Sequence, residues 1–274
     1  MKVPRKLDLA TFVGAGIAVT GILAGLRFEG LDLYDVAQPT AALVVFAGTA
    51  GAVLISVPMS QIRQAFRGLW EVLFDSSADP YQLVDRFLAW SRVARSKGVT
   101  SLEKETEQIG DPVLRKAMRL LVDAVGDERI KTVLRLEVSG IEAEAEAAAQ
   151  FYETAAGYAP TLGIVGAAMG LIQVMKHLEH IEQVGTGIAA AFVATIYGVL
   201  LANLVLLPIA TRIRTRCLHR VRTCQIIAEG ALSIAAGLNP ALLRINLEAL
   251  LQIPETQNTT AGLTALPIPI AQEG

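Results

Sequence analysis

Four stretches of this chain, Leu9–Leu26, Val36–Ile62, Thr154–Met175 and Gln183–Thr211, contain no Asp, Glu, Lys or Arg. Each reaches the ~18–20 residues that a helix rising 1.5 Å per residue needs to cross a ~30 Å hydrocarbon core. A helix satisfies its own backbone hydrogen bonds in lipid, so the stretches predict four α-helical spans. Composition agrees: 53% of the 274 residues are hydrophobic, yet 18% are charged, the mixture of a chain alternating between lipid and water. A secretory signal is the alternative for the first stretch. Its apolar run is long for one, and no small-residue cleavage site precedes "RFEG". The net charge of −2 gives no reason to expect a nucleic-acid partner.

Lys and Arg set the orientation. Lys2, Arg5 and Lys6 precede the first stretch, bases are frequent over residues 63–153, and "RIRTRCLHRVR" follows the fourth. The two short connections, "RFEGLDLYDVAQ" and "KHLEHIEQ", are acidic. Both termini and the large loop are therefore expected on the cytoplasmic side. Five regions follow: 1–62 with two spans, 63–153 as a helical cytoplasmic domain, 154–211 with spans three and four, 212–253 as a helical extension, and 254–274 as a disordered tail rich in Pro, Thr, Gly and Gln. Cys217 and Cys224 carry no metal-ligand spacing.

Inside the loop, "DPYQLVDRFLAWSRVARSKG" places Asp79 at an N-cap, Pro80 at the first helical position and Gly98 as a stop. "DPVLRKAMRLLVDAVG" repeats the device with Asp111, Pro112 and Gly126. From Asp127 to Thr154 a long helix should run directly into span three, and span four should continue beyond the membrane likewise. The fold class is thus an all-α membrane protein with long cytoplasmic extensions of its last two spans.

No catalytic constellation or Gly-rich phosphate loop occurs, so no enzyme is expected. His177 and His180 with Glu179 and Glu182 have helical metal spacing, but they are equally the wet residues of an outer connection; no metal is expected. Small residues form two stripes: Gly163, Gly166, Ala167 and Gly170 in span three, and Ala191, Ala194, Thr195, Gly198 and Ala202 in span four. Such stripes admit close helix approach, either of these two spans to each other or of a foreign helix. Spans two to four carry no titratable carboxylate, although proton relays usually need one, so in a proton pathway it must arrive on a partner. Thr161, Thr195, Tyr197 and Asn203 offer hydroxyls or an amide to a hydrated path. Pro160 and Pro208 each remove a backbone hydrogen bond, giving either a hinge or a simple kink at the membrane interface.

"YAPTLGIVGAAMGLI", "AFVATIYGVLLANLVLLPIA" and "PTAALVVFAGTAGAVLISVP" resemble spans three, four and two of the MotA branch of the MotA/TolQ/ExbB proton-channel family. "RVARSKGVTSLEKE" and "DPVLRKAMRLLVDAV" resemble that branch's cytoplasmic domain. The resemblance implies a flagellar stator subunit in the bacterial inner membrane: a homopentamer around two helices of a MotB-like, peptidoglycan-anchored partner that supplies an aspartate. It implies that Pro160 and Pro208 are the functional prolines, and that Arg95 and Glu103 contact the rotor protein FliG, with Arg92, Lys97, Lys104 and Glu107 as alternatives. The small stripes would then pack against the partner helices. Sodium-driven relatives have threonines where Ala167 and Ala194 stand, so the resemblance implies H⁺ rather than Na⁺. A TolQ/ExbB-like transducer serving another envelope process is the alternative function.

Overall fold

The computed structural model describes residues 6–7, 9–75, 80–176, 178–179 and 181–252. Asp79, His177, His180 and the tail from residue 253 lie outside them. The described chain is helical, apart from one antiparallel pair of two-residue strands, β1 (Lys6–Leu7) and β2 (Phe74–Asp75). It forms two compact units.

The apolar unit comprises Arg5–Asp75 and Glu144–Arg214. It begins with α1 (Leu9–Phe28), the short α2 (Leu33–Val36), α3 (Pro39–Ala42), a widened π turn at Leu43–Ala47, α4 (Gly48–Ser56) and α5 (Met59–Leu73). Three described helical segments are long and apolar enough to cross a membrane: Pro39–Ser56, Asp127–Lys176 and Val184–Ala235. The second apolar stretch, expected as one span to Ile62, is interrupted. Pro58 forces the residue before it out of helical conformation, and Val57 is extended at φ −122°, ψ 131°. A separate, amphipathic α5 then starts at Met59. Its Ala65 and Val72 pack with Ala148, Ala149, Tyr152, Ala210 and Ile213, and the Tyr152 hydroxyl donates to the Ala65 carbonyl at 3.0 Å.

Two of the remaining long helices have residues in both units. Helix α9 (Asp127–Lys176) runs unbroken for 50 residues, as the proline-free approach to span three predicts. The fourth apolar stretch is α10 (Ile181–Leu200), a π turn at Leu201–Leu206 and α11 (Leu207–Ala235), which also continues well past the stretch's end. Just beyond the apolar segments, Arg214 forks between α9 carboxylates, donating to both oxygens of Glu146 at 2.7 and 2.9 Å and to Glu153.

The polar unit comprises the described parts of Ser76–Ala143 and Thr215–Gly274. It contains α6 (Pro80–Lys97), a 3₁₀ turn at Val99–Leu102, α7 (Glu103–Glu107), α8 (Pro112–Val122), the start of α9, most of α11, and α12 (Pro240–Gln252). Phe87 lies at its centre, edge-to-face with Trp90 at 5.4 Å and pressed against Gly230, where a Cβ would fall 2.6 Å from the ring. Leu102, Met118, Ile130, Ile226, Leu243 and Leu247 complete the core. Each such side chain contributes about 1.5–3 kcal/mol by leaving water.

Asp111 caps α8 as its sequence predicts, one carboxylate oxygen accepting from the Val113 and Leu114 N–H groups at 2.9 Å. The other oxygen accepts from Arg220 of α11 at 2.6 Å. Burial pushes this carboxyl's pKa up, but the Arg220 hydrogen bond, the capping N–H groups and the Arg220 charge outweigh it and hold Asp111 below the usual carboxylate range. The helix does not run to Gly126. It ends at Val122 with Ala124 in the left-handed region at φ 52°, where the Val125 and Ala124 N–H groups return to the Leu120 and Leu121 carbonyls.

Candidate partner-facing surface

The stripes expected from sequence meet each other. A Cβ added at Gly163 would lie 2.9 Å from the Ala194 carbonyl oxygen, at Gly166 2.7 Å from the Ala194 Cβ, and at Gly170 2.8 Å from the Gly187 oxygen. On the facing helix, a Cβ at Gly198 would sit 2.5 Å from the Ala159 oxygen and 3.1 Å from the Pro160 Cα. Ala191, Ala194 and Ala202 are buried. These residues therefore form a seam between α9 and α10 within the chain, where backbones approach because no side chain separates them. Of the two readings that the stripes leave open, packing of these spans against each other is the one that Gly163, Gly166, Gly170, Ala191, Ala194, Gly198 and Ala202 make within the chain.

One flank of the seam is also filled. Leu162 meets Gly48 at a would-be Cβ distance of 3.1 Å, Val193 and Ala194 cluster with Ala41, and the Tyr158 and Ser56 hydroxyls bond at 2.8 Å. Tyr197 belongs to this flank. Its hydroxyl donates to the Val36 carbonyl at 2.5 Å and accepts from the Gln38 N–H at 3.4 Å, so it fastens α10 to the start of the second span. Gly48, Leu162, Ser56 and Tyr158 were not singled out from sequence. Only the polar pair carried a signal, two hydroxyls near the same end of two apolar runs.

Helical periodicity assigns the opposite flank to Pro160, Ile164, Ala167 and Leu171 of α9 and to Ile188, Phe192, Thr195 and Val199 of α10. Pro160, Ala167 and Thr195 are half-buried there, while Ile164, Phe192 and Val199 are exposed. This flank carries no charge. Its one polar side chain, Thr195, bonds the Ala191 carbonyl of its own helix at 3.4 Å. Thr161 is exposed farther round α9 and bonds the Tyr158 carbonyl at 2.7 Å.

Both prolines weaken a ladder. Pro160 has no N–H for the Ala156 carbonyl, although α9 continues through it. Pro208 follows the π turn directly after Leu207, whose N–H returns to Ala202, five residues back. The next donor in that register would be Pro208, which has none. Asn203 donates its side-chain amide to the Val199 carbonyl at 2.9 Å.

In the polar unit, Arg95 lies in the last turn of α6 and Glu103 begins α7, with Gly98 at φ 84° and the 3₁₀ turn between them. Both are exposed, and neither makes an ion pair among the described residues. The support beneath them is ordered: Trp90 donates its indole N–H to Glu105, Thr106 is buried, and Ser101 bonds the Gly98 carbonyl at 2.6 Å.

Residues 105–226 match the model of the MotA/TolQ/ExbB proton channel family. Motility protein A of Bacillus subtilis is 30% identical over 243 residues, covering 88% of this chain and 90% of that protein. Among solved structures, a chain of C. jejuni MotAB superposes with a TM-score of 0.86 at 27% identity, covering 92% of this chain and all of that one. A chain of the flagellar MotAB stator complex from Bacillus subtilis gives 0.80 at 30% identity, over 91% and 96%. With a relative 30% identical over 88% of its length, the chain belongs to the MotA/TolQ/ExbB proton channel family, on the side of the motility proteins A.

Proposed function

We propose that this chain is the A-type subunit of a flagellar stator, assembling with a MotB-like, single-span, peptidoglycan-anchored partner into a proton channel that turns ion flow into torque. The observation that carries the reading is likeness to stator chains along nearly the whole length, TM-score 0.86 over 92% of the chain. In this reading the chain crosses the inner membrane four times, with both termini and the polar unit in the cytoplasm. Five copies surround two partner helices, and the charge-free flank with Pro160, Ala167 and Thr195 faces those helices.

The partner's aspartate supplies the titrating group that spans two to four lack. Protonation from outside neutralises it and removes the cost of a charge near the membrane centre, about 2.5–3.5 kcal/mol on insertion scales. One charge crossing 100 mV releases about 2.3 kcal/mol, enough to bias a step of the ring around the partner. Pro160 and Pro208 let α9 and the α10–α11 rod bend as the proton leaves inward. Arg95 and Glu103 pass the motion to FliG by charge complementarity.

Native mass spectrometry of the complex purified with its co-expressed neighbour tests the assembly. Five copies with two of a single-span, peptidoglycan-binding partner are expected; a different partner, or a lone oligomer, would remove the flagellar assignment. The ion is H⁺, because Ala167 and Ala194 give no oxygen to replace sodium's hydration shell. Tethered cells should keep rotating when Na⁺ is withdrawn at constant pH and proton-motive force, and a halt would assign the channel to Na⁺.

A further inference from the structure

The first turns of α11 meet α9 over a patch of small side chains. Ala148, Ala149 and Tyr152 of α9 cluster with Ala210 and Ile213 of α11 and with Ala65 and Val72 of α5. Alanines let backbones approach closely, but they give the α11 contact no polar group to fix its register.

An ion cluster beside the patch supplies one. Glu146 and Glu153 stand seven residues apart, two turns along one face of α9. Arg214 reaches both. Its Nε and Nη2 donate to the two oxygens of Glu146 at 2.9 and 2.7 Å, Nη2 also donates to Glu153 at 3.0 Å, and Nη1 donates to the other Glu153 oxygen. Every nitrogen of one planar guanidinium is thereby directed at α9, which the point charge of a lysine cannot reproduce. The Arg214 hydrogen bonds outweigh burial and hold the Glu146 carboxyl below its usual range, so it stays ionised at neutral pH. Arg214 and Glu153 are each 39% exposed and Glu146 60%, and ion pairs so close to water contribute little to stability. Their effect is on geometry.

The cluster also stands at a particular place. Pro208, just after the wide turn at Leu201–Leu206, precedes Arg214 by six residues, about 9 Å along the helix axis. A ladder with a widened turn and a missing donor bends there. On one side of that point Ala202 packs with Ala156 and Ala159. On the other, Glu146 and Glu153 grip Arg214. The weak point is thus spanned by two contacts with the same stretch of α9.

We propose that Arg214 is a positioning residue of the channel: forked between Glu146 and Glu153, it sets the register and tilt at which α11 resumes against α9 after the bend at Pro208. The inference rests on the stator function proposed above, in which that bend accompanies proton release.

The test uses the whole complex in cells lacking other stators, read as the stepwise rise in bead rotation as single complexes join a motor. Step height reports torque per complex, and step number reports assembly. Arg214→Lys keeps the charge and loses the fork, so its steps should be lower than those of the unaltered protein and equally numerous. Glu153→Gln removes only one grip and should lower the steps as well; it is the deciding variant if Arg214→Lys does not assemble. Glu144→Gln alters an exposed carboxylate of α9 that has no ion pair among the described residues, and its steps should keep their full height. Full-height steps with lysine would show that charge alone suffices, and fewer steps of full height would show that Arg214 only stabilises the complex. An equal loss with Glu144→Gln would assign the effect to surface charge at large. Each of these results overturns the proposal while leaving the stator function standing. Absence of steps from the unaltered protein would instead remove the stator function, and the proposal with it.

Discussion

Ala124 adopts a backbone conformation that a Cβ disfavours by about 1–2 kcal/mol. Glycine removes that penalty but gains freedom in the unfolded chain, so Ala124→Gly should stabilise the polar unit by roughly 0.5–1 kcal/mol. Thermal unfolding of the detergent-solubilised complex reads this as a raised midpoint; a lowered one would show that the Ala124 methyl packs usefully. Asp111 makes the opposite kind of contribution. Its carboxyl is held below the usual range in the folded state, so its stabilisation is complete above the unfolded value of about 3.9 and is lost as pH falls through the lower folded value. Asp111→Asn keeps a capping oxygen but loses the charge-assisted bond to Arg220, a cost of about 1.5–3 kcal/mol. The variant should unfold earlier at neutral pH and respond less to acid; identical melting curves for the two proteins across pH 3 to 7 would remove this role.

At the scale of elements, the seam between α9 and α10 decides what small residues do. Gly198→Ala puts a methyl on main chain at Ala159, which cannot rotate away, so the helices must part at about 1–3 kcal/mol or more. Gly157 lies on the same α9 with open space where a Cβ would go. We expect Gly198→Ala to abolish swimming and reduce the assembled complex, and Gly157→Ala to leave both intact; equal effects would argue against the seam. Several elements were legible in advance because they rest on local chemistry: Pro112 and Asp111 start α8, Gly98 stops α6, and the absence of proline before Thr154 lets α9 run on. The π turns were not, since the propensities of Leu43–Ala47 and Leu201–Leu206 are those of ordinary helix. Likewise the stripes announced a close approach but not its partner, because a side-chain-free face reads the same whichever helix fills it. The Val57–Pro58 break was written in the sequence, but the continuing absence of charge to Ile62 concealed it.

At the scale of the molecule, charge is sorted by surface. The α9–α10 flank is uncharged, whereas Arg95, Lys97 and Glu103 stand exposed on the polar unit over an ordered support. Reversing Arg95 and Lys97 to Glu should therefore lower torque without loss of the assembled complex, since neither side chain holds a core contact. Bead assays at normal load check this, and unchanged torque would move the rotor contact elsewhere on the unit. Finally, the boundary between the units falls at 143/144 and 214/215, inside α9 and α11, with no loop at either crossing. A continuous hydrogen-bond ladder is stiff, because bending or untwisting it strains several bonds at once. Both α9 and α11 therefore cross that boundary on an unbroken ladder. The weakened points of these ladders, Pro160 and the wide turn before Pro208, both belong to the apolar side of that boundary, so a bend in either helix is expected within the apolar unit and not at the crossing.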